Sequence, residues 1–571
     1  MTQRHQARKW LLAGTALTLL VPALAACSTK NDENDPNNRH TLRIGTLYGS
    51  TQDDQYYRQQ YTDLFEFDHG NIDIEIVPAI DWNEMQFDQD PSKPYQQPDP
   101  MEKVKAIMTG DRPVDVMILD MSLLPQLVNE NMLKQLDPLL KEDEIDTNGF
   151  VPTVIDGIKE QGNGFIYALT PTFSPSALYY NKKLFSKVGV EPPTDGMSWD
   201  DVFNLARRMK KGEGKDAVFG FTFNQWGGSN GYYDIQGFGA PLQLRMFDDK
   251  AENMTVNTPQ WESLWKMVTD LSKDHIVPTQ EDMQAIYDEQ NKASAEGNFR
   301  YNPYQGQLFL NGKVAMTVGD YGMISQIQQM NANAEKLKMD KLEWDVVTMP
   351  FFQDKPGIGG SIYLNQLAGI NAKAENPDDA WEFIKFMNGE KSAKFKSRST
   401  YEMSSLKSYI KIREGMDPFN IDAFTKMKPA SVSQSSLKDQ ELFRQKPNLN
   451  MVNELGNQAF MKVIQGTKTV KEALEEWQTR GNDLLQKIKT NPDGPIEGIY
   501  DDVYGGGGNI PFEKLEVMRA AGEVVESDSA ESTEAVTEEA PADAPADAPA
   551  DASAEGSAEG SAASSEAVVV E

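Results

Sequence analysis

The feature that most constrains the fold of this chain is an alternation of strand-like and helix-like segments in its first part. Residues 41–48 (TLRIGTLY) and 72–77 (IDIEIV) have the pattern of β-strands, and residues 114–119 (VDVMIL) form the apolar run of a strand buried on both faces. The segments between them, 53–67 and 101–108, have the polar spacing of helices. This order of strands and helices predicts an α/β unit with a largely parallel sheet.

Polar and aromatic residues follow each of these predicted strands. Tyr48 and Ser50 lie at the end of the first strand, and Asp120 follows the third. Trp82 lies beside Asp81 in an irregular stretch after the second strand. Ligands of parallel sheets bind beyond the carboxyl ends of the strands, so these side chains are candidates for a binding site.

A second series of strand and helix patterns follows and extends to the end of a long body. The predicted strands lie at 165–170, 177–180, 217–223, 314–318, 344–349 and 358–370. Predicted helices lie at 199–210, opened by a Ser198 cap, at 261–271 and at 378–387. From there to residue 490 the chain is expected to be mostly helical.

The first 27 residues have the layout of a secretory signal peptide. Basic residues precede an apolar stretch of about 16 residues, shorter than the ~20 that a membrane-spanning helix needs. The stretch ends at Cys27, the single cysteine of the chain, in a sequence that resembles a lipobox. We expect residues 1–26 to be removed and Cys27 to carry acyl chains that anchor the exported protein to the membrane. The alternative is a chance cysteine beside an ordinary cleavage site.

The two flanks of the body have the composition of unstructured segments. Residues 27–39 are polar and read as a flexible tether. Residues 520–571 consist mainly of Ala, Glu, Asp, Ser and Pro, without Lys or Arg, and read as a disordered acidic tail. The tail is expected to be a solvated spacer, and an acidic segment that binds cations or cell-wall material is the alternative.

The charge and the cysteine count exclude several classes of function. The chain carries 55 Lys and Arg against 87 Asp and Glu, a net charge of −32, so nucleic acid and anionic membrane surfaces are not expected partners. A single cysteine excludes an intrachain disulfide and a cysteine-rich zinc site. No cofactor and no metal are expected.

Short motifs of the body occur in the order found in one known family. They are PVDVM (113–117), GFIYALTP (164–171), LYYNKKLF (178–185), SWDD (198–201), FLNGKVAM (309–316), GGS (359–361), AWEFIKF (380–386) and TVKEAL (469–474). Together they resemble the family 1 extracellular solute-binding proteins, the maltose-binding-protein-like receptors of ABC importers. The resemblance spans roughly residues 40–490.

The resemblance implies a two-lobed α/β fold of the periplasmic-binding-protein type (type II), with a ligand cleft between the lobes. Lobe one would hold residues 40–137 and 352–396, and lobe two residues 138–351 and 397–519. The chain would cross near residues 136–138, near residues 349–351 and again after Gly389. The resemblance also implies a monomer that closes on a solute by hinge motion and delivers it to ABC permease subunits.

A sugar site needs aromatic rings for the CH face of the sugar and planar polar groups for its hydroxyls. Trp226 follows a predicted strand, in a glycine-rich loop with Tyr232. Tyr321 occupies the place where the resembling sugar receptors have a stacking tryptophan. With Trp82, these are the aromatic candidates for an oligosaccharide site. The polar candidates are Ser50, Asp120, Ser174, Ser361 and Asn365. The tryptophans at apolar helix positions are expected to be core residues instead: Trp199, Trp261, Trp265, Trp381 and Trp477.

Other functions stay open at this point. The same fold would suit a peptide, a polyamine or a metal complex, and the acidic body permits a polyamine. A sugar sensor that acts on a membrane kinase would have the same sequence features. An exported enzyme is not expected: GGSNG (227–231) matches G-x-S-x-G, but no clear helix follows it, and only His275 lies downstream as a base.

Overall fold

The structure of the chain is a computed structural model. The structure describes residues 39–87, 98–226, 231–296, 302–360, 362–430, 434–492, 494 and 496. The predicted signal peptide with Cys27, the tether up to residue 38, Ser361 and the acidic tail therefore lie outside the described residues.

Lobe one is built on a four-stranded sheet with the strand order β10-β3-β1-β2. Its strands are β1 (His40–Gly49), β2 (Ile72–Asp81), β3 (Val116–Leu119) and β10 (Leu367–Ile370). Strand β1 pairs in parallel with β2 and β3, which confirms the predicted parallel unit, whereas β10 runs antiparallel to β3.

The helices of lobe one pack around this sheet. They are α1 (Gln55–Tyr57), continued by a π turn (Arg58–Thr62), α2 (Asp63–Asp68), α3 (Trp82–Phe87), α4 (Pro100–Thr109), α5 (Leu124–Asn129), α6 (Asp137–Glu142), α7 (Pro152–Gln161), α14 (Pro377–Asn388) and α15 (Glu390–Lys396). Leu42, Ile44 and Val116 on the strands are fully buried beneath them.

Lobe two has a second four-stranded sheet, in the order β6-β7-β5-β8. Its strands are β5 (Ser176–Asn181), β6 (Phe219–Thr222), β7 (Val314–Asp320) and β8 (Trp344–Val347). The helices of this lobe are α8 (Lys182–Val188), α9 (Trp199–Met209), α10 (Gly231–Gly239), α11 (Pro259–Lys273), α12 (Gln280–Ala295), α13 (Met323–Leu337), α16 (Gln434–Gln445), α17 (Asn450–Ile464) and α18 (Val470–Thr490). Short 3₁₀ turns lie at Thr147–Gly149, Gly214–Asp216, Ala240–Leu242, Lys407–Tyr409, Ile421–Phe424 and Pro447–Leu449.

Local sequence signals account for several of these elements. Helix α9 begins with the predicted cap, in which the Ser198 hydroxyl accepts from the Asp201 N–H while the Asp201 carboxylate accepts from the Ser198 N–H. The helical tryptophans expected in the core are all buried: Trp199, Trp261, Trp265, Trp381 and Trp477.

A small antiparallel sheet joins the two lobes. Its strands are β4 (Thr172–Ser174), β9 (Tyr363–Asn365) and β11 (Met403–Ser404), in the order β11-β4-β9. Each strand lies where the chain passes between the lobe-one sheet and the lobe-two elements, so this hinge sheet marks the three crossings.

The first predicted crossing, near residues 136–138, was wrong. The Leu136 N–H donates to the Ile166 carbonyl at 2.7 Å, and Leu169 exchanges two backbone hydrogen bonds with Ala368 of β10. The side chain of Asp143 on α6 accepts from Trp381 Nε1 at 2.8 Å. Residues 138–169 therefore belong with lobe one, and the chain crosses at β4.

The second predicted crossing, near residues 349–351, was also placed too early. The Phe351 carbonyl accepts from the Trp199 N–H at 3.0 Å, which keeps this segment on lobe two. The chain crosses at β9 instead. The third crossing was predicted after Gly389, and the structure places it at β11, after α15 has packed on lobe one.

Three local predictions also need correction. Residues 165–170 form no strand, although Leu169 makes one bridge to β10. Residues 231–239, expected to be loop after the GGSNG segment, form helix α10. Trp82 opens helix α3 instead of lying in an irregular stretch.

Candidate ligand-binding site

An exposed aromatic pair lies at the carboxyl edge of the lobe-one sheet. The rings of Tyr48 and Trp82 stack with centroids 5.0 Å apart and an interplanar angle of 12°. Both rings remain accessible, Tyr48 at 41% and Trp82 at 50% exposure. The parallel register brings them together, because Gly49 at the end of β1 lies opposite Asp81 at the end of β2.

The Asp81 side chain organises the loops around this pair. Its Oδ2 atom accepts from the N–H of Thr51 at 3.0 Å and from the Thr51 hydroxyl at 2.7 Å, while its Oδ1 atom accepts from the N–H of Asn83 at 2.8 Å. The Asn83 amide in turn donates to Ser50 Oγ at 2.8 Å. Burial opposes ionisation of Asp81, but these hydrogen bonds outweigh it and lower the pKa of its carboxyl. Asp81 thus fixes the loops that carry Ser50 and Trp82.

Asp120 lies at the end of β3, as expected, and caps the turn that follows. Its Oδ1 atom accepts from the N–H groups of Ser122 at 2.8 Å and Leu123 at 3.0 Å, directly before α5. The carboxylate also lines a cavity of about 860 Å³.

This cavity lies between the two lobes, and we call it the interlobe cavity. From lobe one it is lined by Leu47, Tyr48, Asp99, Pro100, Met101, Glu102, Lys105, Asp120, Ser122, Leu123, Gln126 and Glu130, and from lobe two by Leu437, Gln440, Glu441, Phe443, Arg444 and Asn450. A second cavity of about 420 Å³ adjoins it, since Ser122 and Gln440 line both. The volume of the interlobe cavity falls within the range of small-molecule sites.

The lining of the interlobe cavity is acidic. It carries five acids, Asp99, Glu102, Asp120, Glu130 and Glu441, against two bases, Lys105 and Arg444. Both bases are engaged with acids of the same lining, Lys105 with Glu130 at 2.6 Å and Arg444 with Asp99 at 2.6 Å. The lining therefore has a formal charge of 2 − 5 = −3.

The hinge sheet presents a polar face. Its register places Ser174 opposite Tyr363 and Thr172 opposite Asn365. The Asn365 amide donates to Ser174 Oγ at 2.9 Å, and Glu402 Oε2 accepts from the Thr172 hydroxyl at 2.6 Å and from the Asn365 amide at 3.3 Å. Tyr363 is 66% exposed beside them. Two predicted residues, Ser174 and Asn365, are thus in direct contact.

The Lys396 ammonium lies near Glu402 of this face. Lys396 Nζ lies 3.8 Å from Glu402 and 4.1 Å from the centroid of the Tyr61 ring. Burial lowers the pKa of Lys396, against the opposing effect of Glu402. Burial and the neighbouring Glu402 charge raise the pKa of Tyr61 to about 12. The hinge therefore holds an ion pair of limited exposure at the point where the lobes join.

On lobe two, Trp226 follows β6 and is 58% exposed. Its backbone N–H donates to Asn224 Oδ1 at 2.9 Å. Asn224 and the exposed Tyr233 line a pocket of about 180 Å³ together with Val318 of β7. Neither Trp226 nor Trp82 is among the described residues that line the interlobe cavity, but Trp82 stacks on Tyr48, which does line it.

Two aromatic candidates are unsuited to the stacking role expected of them. Tyr232 is 2% exposed, and its ring is surrounded by Trp265, Phe460 and Trp477 in the lobe-two core. Tyr321 is 7% exposed and packs edge-on against Phe424. Apolar core residues cover each ring, so neither face can contact a sugar. The local sequence does not show this environment.

The structure therefore groups the predicted residues into separate sets. Tyr48, Ser50, Trp82 and Asp120 share the edge of lobe one, Ser174 and Asn365 lie on the hinge face, and Trp226 stands on lobe two. Ser361 lies outside the described residues.

Four residues of these sites carry no motif that predicts a binding role: Tyr363, Glu402, Asp99 and Arg444. The period-two spacing of Tyr363 and Asn365 in one strand could have indicated Tyr363. The other three residues are brought into place only by contacts between distant parts of the chain.

The described residues offer neither a cluster of metal ligands nor a membrane-spanning helix. In the ranges given above, His, Cys, Asp and Glu side chains nowhere gather in a group of three or more that could hold a metal ion. Within the same ranges, every helix is too short or too polar to cross a bilayer.

A family model and several curated relatives match this chain over most of its body. The model of the bacterial extracellular solute-binding protein family matches residues 48–394. Among curated relatives, the sn-glycerol-3-phosphate-binding periplasmic protein UgpB of Escherichia coli K12 is 23% identical over 453 residues, covering 74% of this chain and 88% of UgpB. The UgpB protein of Salmonella typhimurium is 22% identical over 452 residues, with the same shares covered.

Solved structures agree on the fold. A sugar transporter protein of Rhizobium etli in an open conformation superposes with a TM-score of 0.50 and 19% identity, covering 78% of this chain and 99% of that protein. The sugar-binding protein MalE of Xanthomonas citri also gives a TM-score of 0.50, with 14% identity and coverage of 80% and 100%. The match of the family model to more than half of the chain, on a two-lobed α/β fold, shows that this protein belongs to the bacterial extracellular solute-binding protein family.

Proposed function

We propose that this protein is a receptor that captures an uncharged oligosaccharide between its two lobes and delivers it to an ABC importer. The observation that carries the proposal is the exposed Tyr48–Trp82 stack, in which Tyr48 lines the interlobe cavity and Trp82 packs on its ring. Half-exposed aromatic rings beside a concave polar surface leave apolar area to be covered, and the CH face of a sugar ring is suited to cover it.

The polar groups near the stack suit sugar hydroxyls. Ser50 Oγ and Asp120 lie at the same edge of the sheet, and hydroxyls can both donate and accept. Outside the lining of the interlobe cavity, the hinge face offers a second polar set in which Asn365 donates to both Ser174 and Glu402. Such fixed side chains lose little conformational entropy when a ligand binds.

The charge of the cavity argues against the ligand for which the curated relatives are named. A phosphate monoester carries a charge of about −1.5 to −2 at neutral pH and needs unpaired cations or N–H groups. Lys105 and Arg444 in the interlobe cavity are engaged with Glu130 and Asp99, and the lining keeps an excess of acids. An uncharged ligand avoids this repulsion, so we favour an oligosaccharide over sn-glycerol-3-phosphate.

A cationic solute such as a polyamine is the second candidate. The same acidic lining favours it, since Glu102, Asp120 and Glu441 would attract ammonium groups. The aromatic stack supports the sugar more directly, although aromatic faces also attract cations.

The proposal includes an exported, membrane-anchored monomer. Export and anchoring are supported by the layout of residues 1–27, with an apolar stretch that ends at the single cysteine, and the monomer is part of the proposal that the family resemblance suggests. Acylation of Cys27 would hold the receptor at the outer face of the membrane, within reach of a permease.

A ligand panel tests the proposal. The protein from residue 28 onward would be melted in the presence of neutral oligosaccharides, sn-glycerol-3-phosphate, spermidine and a tripeptide. A ligand at ~100 Kd stabilises the folded state by about 2.7 kcal/mol, which shifts a melting curve visibly. We expect a shift with one series of neutral sugars. A shift with spermidine alone would favour the second candidate, and a shift with sn-glycerol-3-phosphate alone would overturn both.

A further inference from the structure

Helix α16 forms the lobe-two wall of the interlobe cavity, through Leu437, Gln440, Glu441, Phe443 and Arg444. It is fastened to its own lobe by an ion pair in which Arg245 Nε donates to both oxygens of Asp439, at 3.2 and 3.1 Å. The Phe443 ring also contacts Phe247, with centroids 5.6 Å apart. The helix therefore moves with lobe two.

The end of this helix reaches across to lobe one. Arg444 Nη2 donates to Asp99 Oδ2 at 2.6 Å, and the two side chains are only 25% and 26% exposed. The other carboxylate oxygen of Asp99 accepts from the N–H groups of Met101 at 2.9 Å and Glu102 at 3.2 Å, at the start of α4. Asp99 is thus fixed in lobe one before it meets Arg444.

We propose that Arg444 is a positioning residue that couples the two lobes: its ion pair with Asp99 holds α16 against lobe one and so completes the wall of the ligand cavity. This inference rests on the proposed function in taking the interlobe cavity as the ligand site.

The geometry explains why this pair acts on the distance between the lobes. One partner belongs to each lobe, so separation of the lobes must break the ion pair, whereas the hinge sheet can bend without losing its strands. A partly buried, charge-assisted hydrogen bond is stronger than an exposed ion pair and is screened less by salt. The pair therefore favours the arrangement in which both lobes line the cavity, and a ligand that contacts both lobes gains from that preference.

Lys105 provides a matched control. Its ammonium lies in the same cavity and pairs with Glu130 at 2.6 Å, but both partners belong to lobe one. Lys105→Gln removes one positive charge from the cavity, as Arg444→Gln does, without touching a contact between the lobes.

The experiment measures the distance between spin labels on the two lobes in the ligand-free protein from residue 28 onward. Asp111→Cys on lobe one and Lys471→Cys on lobe two place the labels at exposed positions outside the cavity. The distance distribution is compared for the parent, Arg444→Gln, Asp99→Asn, the double variant and Lys105→Gln. Asn is a good helix cap, so Asp99→Asn keeps α4 capped while it removes the charge.

In Arg444→Gln and in Asp99→Asn we expect the fraction of molecules with long label distances to be about three times that of the parent. The double variant should have the same fraction as each single variant. Because the pair is screened less than an exposed one, sodium chloride at 1 M should move the parent in the same direction by less than Arg444→Gln does, and leave Arg444→Gln unchanged. Lys105→Gln should match the parent. Identical distributions for Arg444→Gln and the parent, at low and high salt, would overturn the inference. The sugar panel does not enter this result, so failure of the proposed function would be seen separately.

Discussion

Tyr48 and Trp82 stack at 5.0 Å although one ends a strand and the other opens a helix. The stack exists because β1 and β2 run in parallel and stop at the same edge, so the residues just beyond them become neighbours. Asp81 then holds the two loops with hydrogen bonds to Thr51 and Asn83. An exposed aromatic platform is thus built from strand register and one buried carboxylate.

Replacement of Tyr48 tests the platform. We expect Tyr48→Ala to weaken binding of a neutral oligosaccharide about tenfold, because an aromatic contact adds about 0.5–1.5 kcal/mol beyond its buried area. Tyr48→Phe keeps the ring and should bind nearly as the parent does. Calorimetric titration gives the affinity. Tyr56→Ala removes an exposed ring outside the cavity, and an equal loss in that control would contradict the role of Tyr48.

Asp81 should act through the loops and not through the ligand. Asp81→Ala leaves the N–H groups of Thr51 and Asn83 without their acceptor, and we expect weaker sugar binding and faster amide exchange in residues 50–52 and 83. Asp81→Asn retains an acceptor and should have an intermediate effect. Hydrogen exchange followed by mass spectrometry measures the loop directly. Asp73→Ala, at an exposed site on the same strand, is the control, and unchanged exchange in Asp81→Ala would refute the positioning role.

The acidic lining should set charge preference. The double replacement Glu102→Gln and Glu441→Gln reduces the negative charge of the interlobe cavity by two. We expect weaker binding of spermidine, a measurable gain for sn-glycerol-3-phosphate and little change for a neutral sugar, with the first two effects reduced by salt. Calorimetry at two ionic strengths is the measurement. Glu142→Gln, on the lobe-one surface, should change none of these, and a uniform loss of all three ligands in the double variant would point to damage of the fold.

The lobe-two helices contain a carboxyl that should make stability depend on acid pH. Burial alone would raise the pKa of Glu476, but Lys462 at 2.6 Å and Lys468 at 2.5 Å outweigh it and lower the pKa from 4.5 to about 2. Because the pKa is depressed in the folded state, its stabilisation is complete above about pH 4.5 and is lost as the pH falls towards 2.

We expect Glu476→Gln to destabilise the protein by about 1–2 kcal/mol at pH 7, a value reduced for solvent screening. The free energy of unfolding should then fall less steeply between pH 4.5 and 2 than it does in the parent. Urea unfolding at a series of pH values measures both effects. Glu475→Gln, at the exposed neighbouring position, serves as the control. Parallel pH profiles for Glu476→Gln and the parent would show that the ion pairs contribute nothing.

Local pattern predicted the lobe-one sheet and its edge well, because period-two strands in parallel order determine where Tyr48, Trp82 and Asp120 lie. It failed at the lobe boundaries, since the hinge strands are only two or three residues long and carry no periodic signal. Predictions for Tyr232 and Tyr321 failed for another reason. Residues remote in sequence, such as Trp477 and Phe424, cover their rings.

The ion pair of Arg444 and Asp99 could not be predicted from the sequence either. Each residue is an ordinary charged side chain in a polar stretch, and the sequence around Asp99 predicts only a helix cap. Their meeting depends on how α16 packs on lobe two and on where the hinge strands place the lobes. The spacing of residues in the sequence indicates neither the packing of α16 nor the placement of the lobes.

The most direct test of the central claim is a fluorescence titration with neutral oligosaccharides in two variants. Among the tryptophans of the described residues, Trp82 and Trp226 are the exposed ones, so each single replacement leaves one accessible reporter. We expect a saturable spectral change in Trp226→Phe, where Trp82 remains, and a weaker response with lower affinity in Trp82→Phe. Equal responses and equal affinities in both variants, or no response to any neutral sugar, would contradict the claim that an oligosaccharide binds on the Tyr48–Trp82 platform.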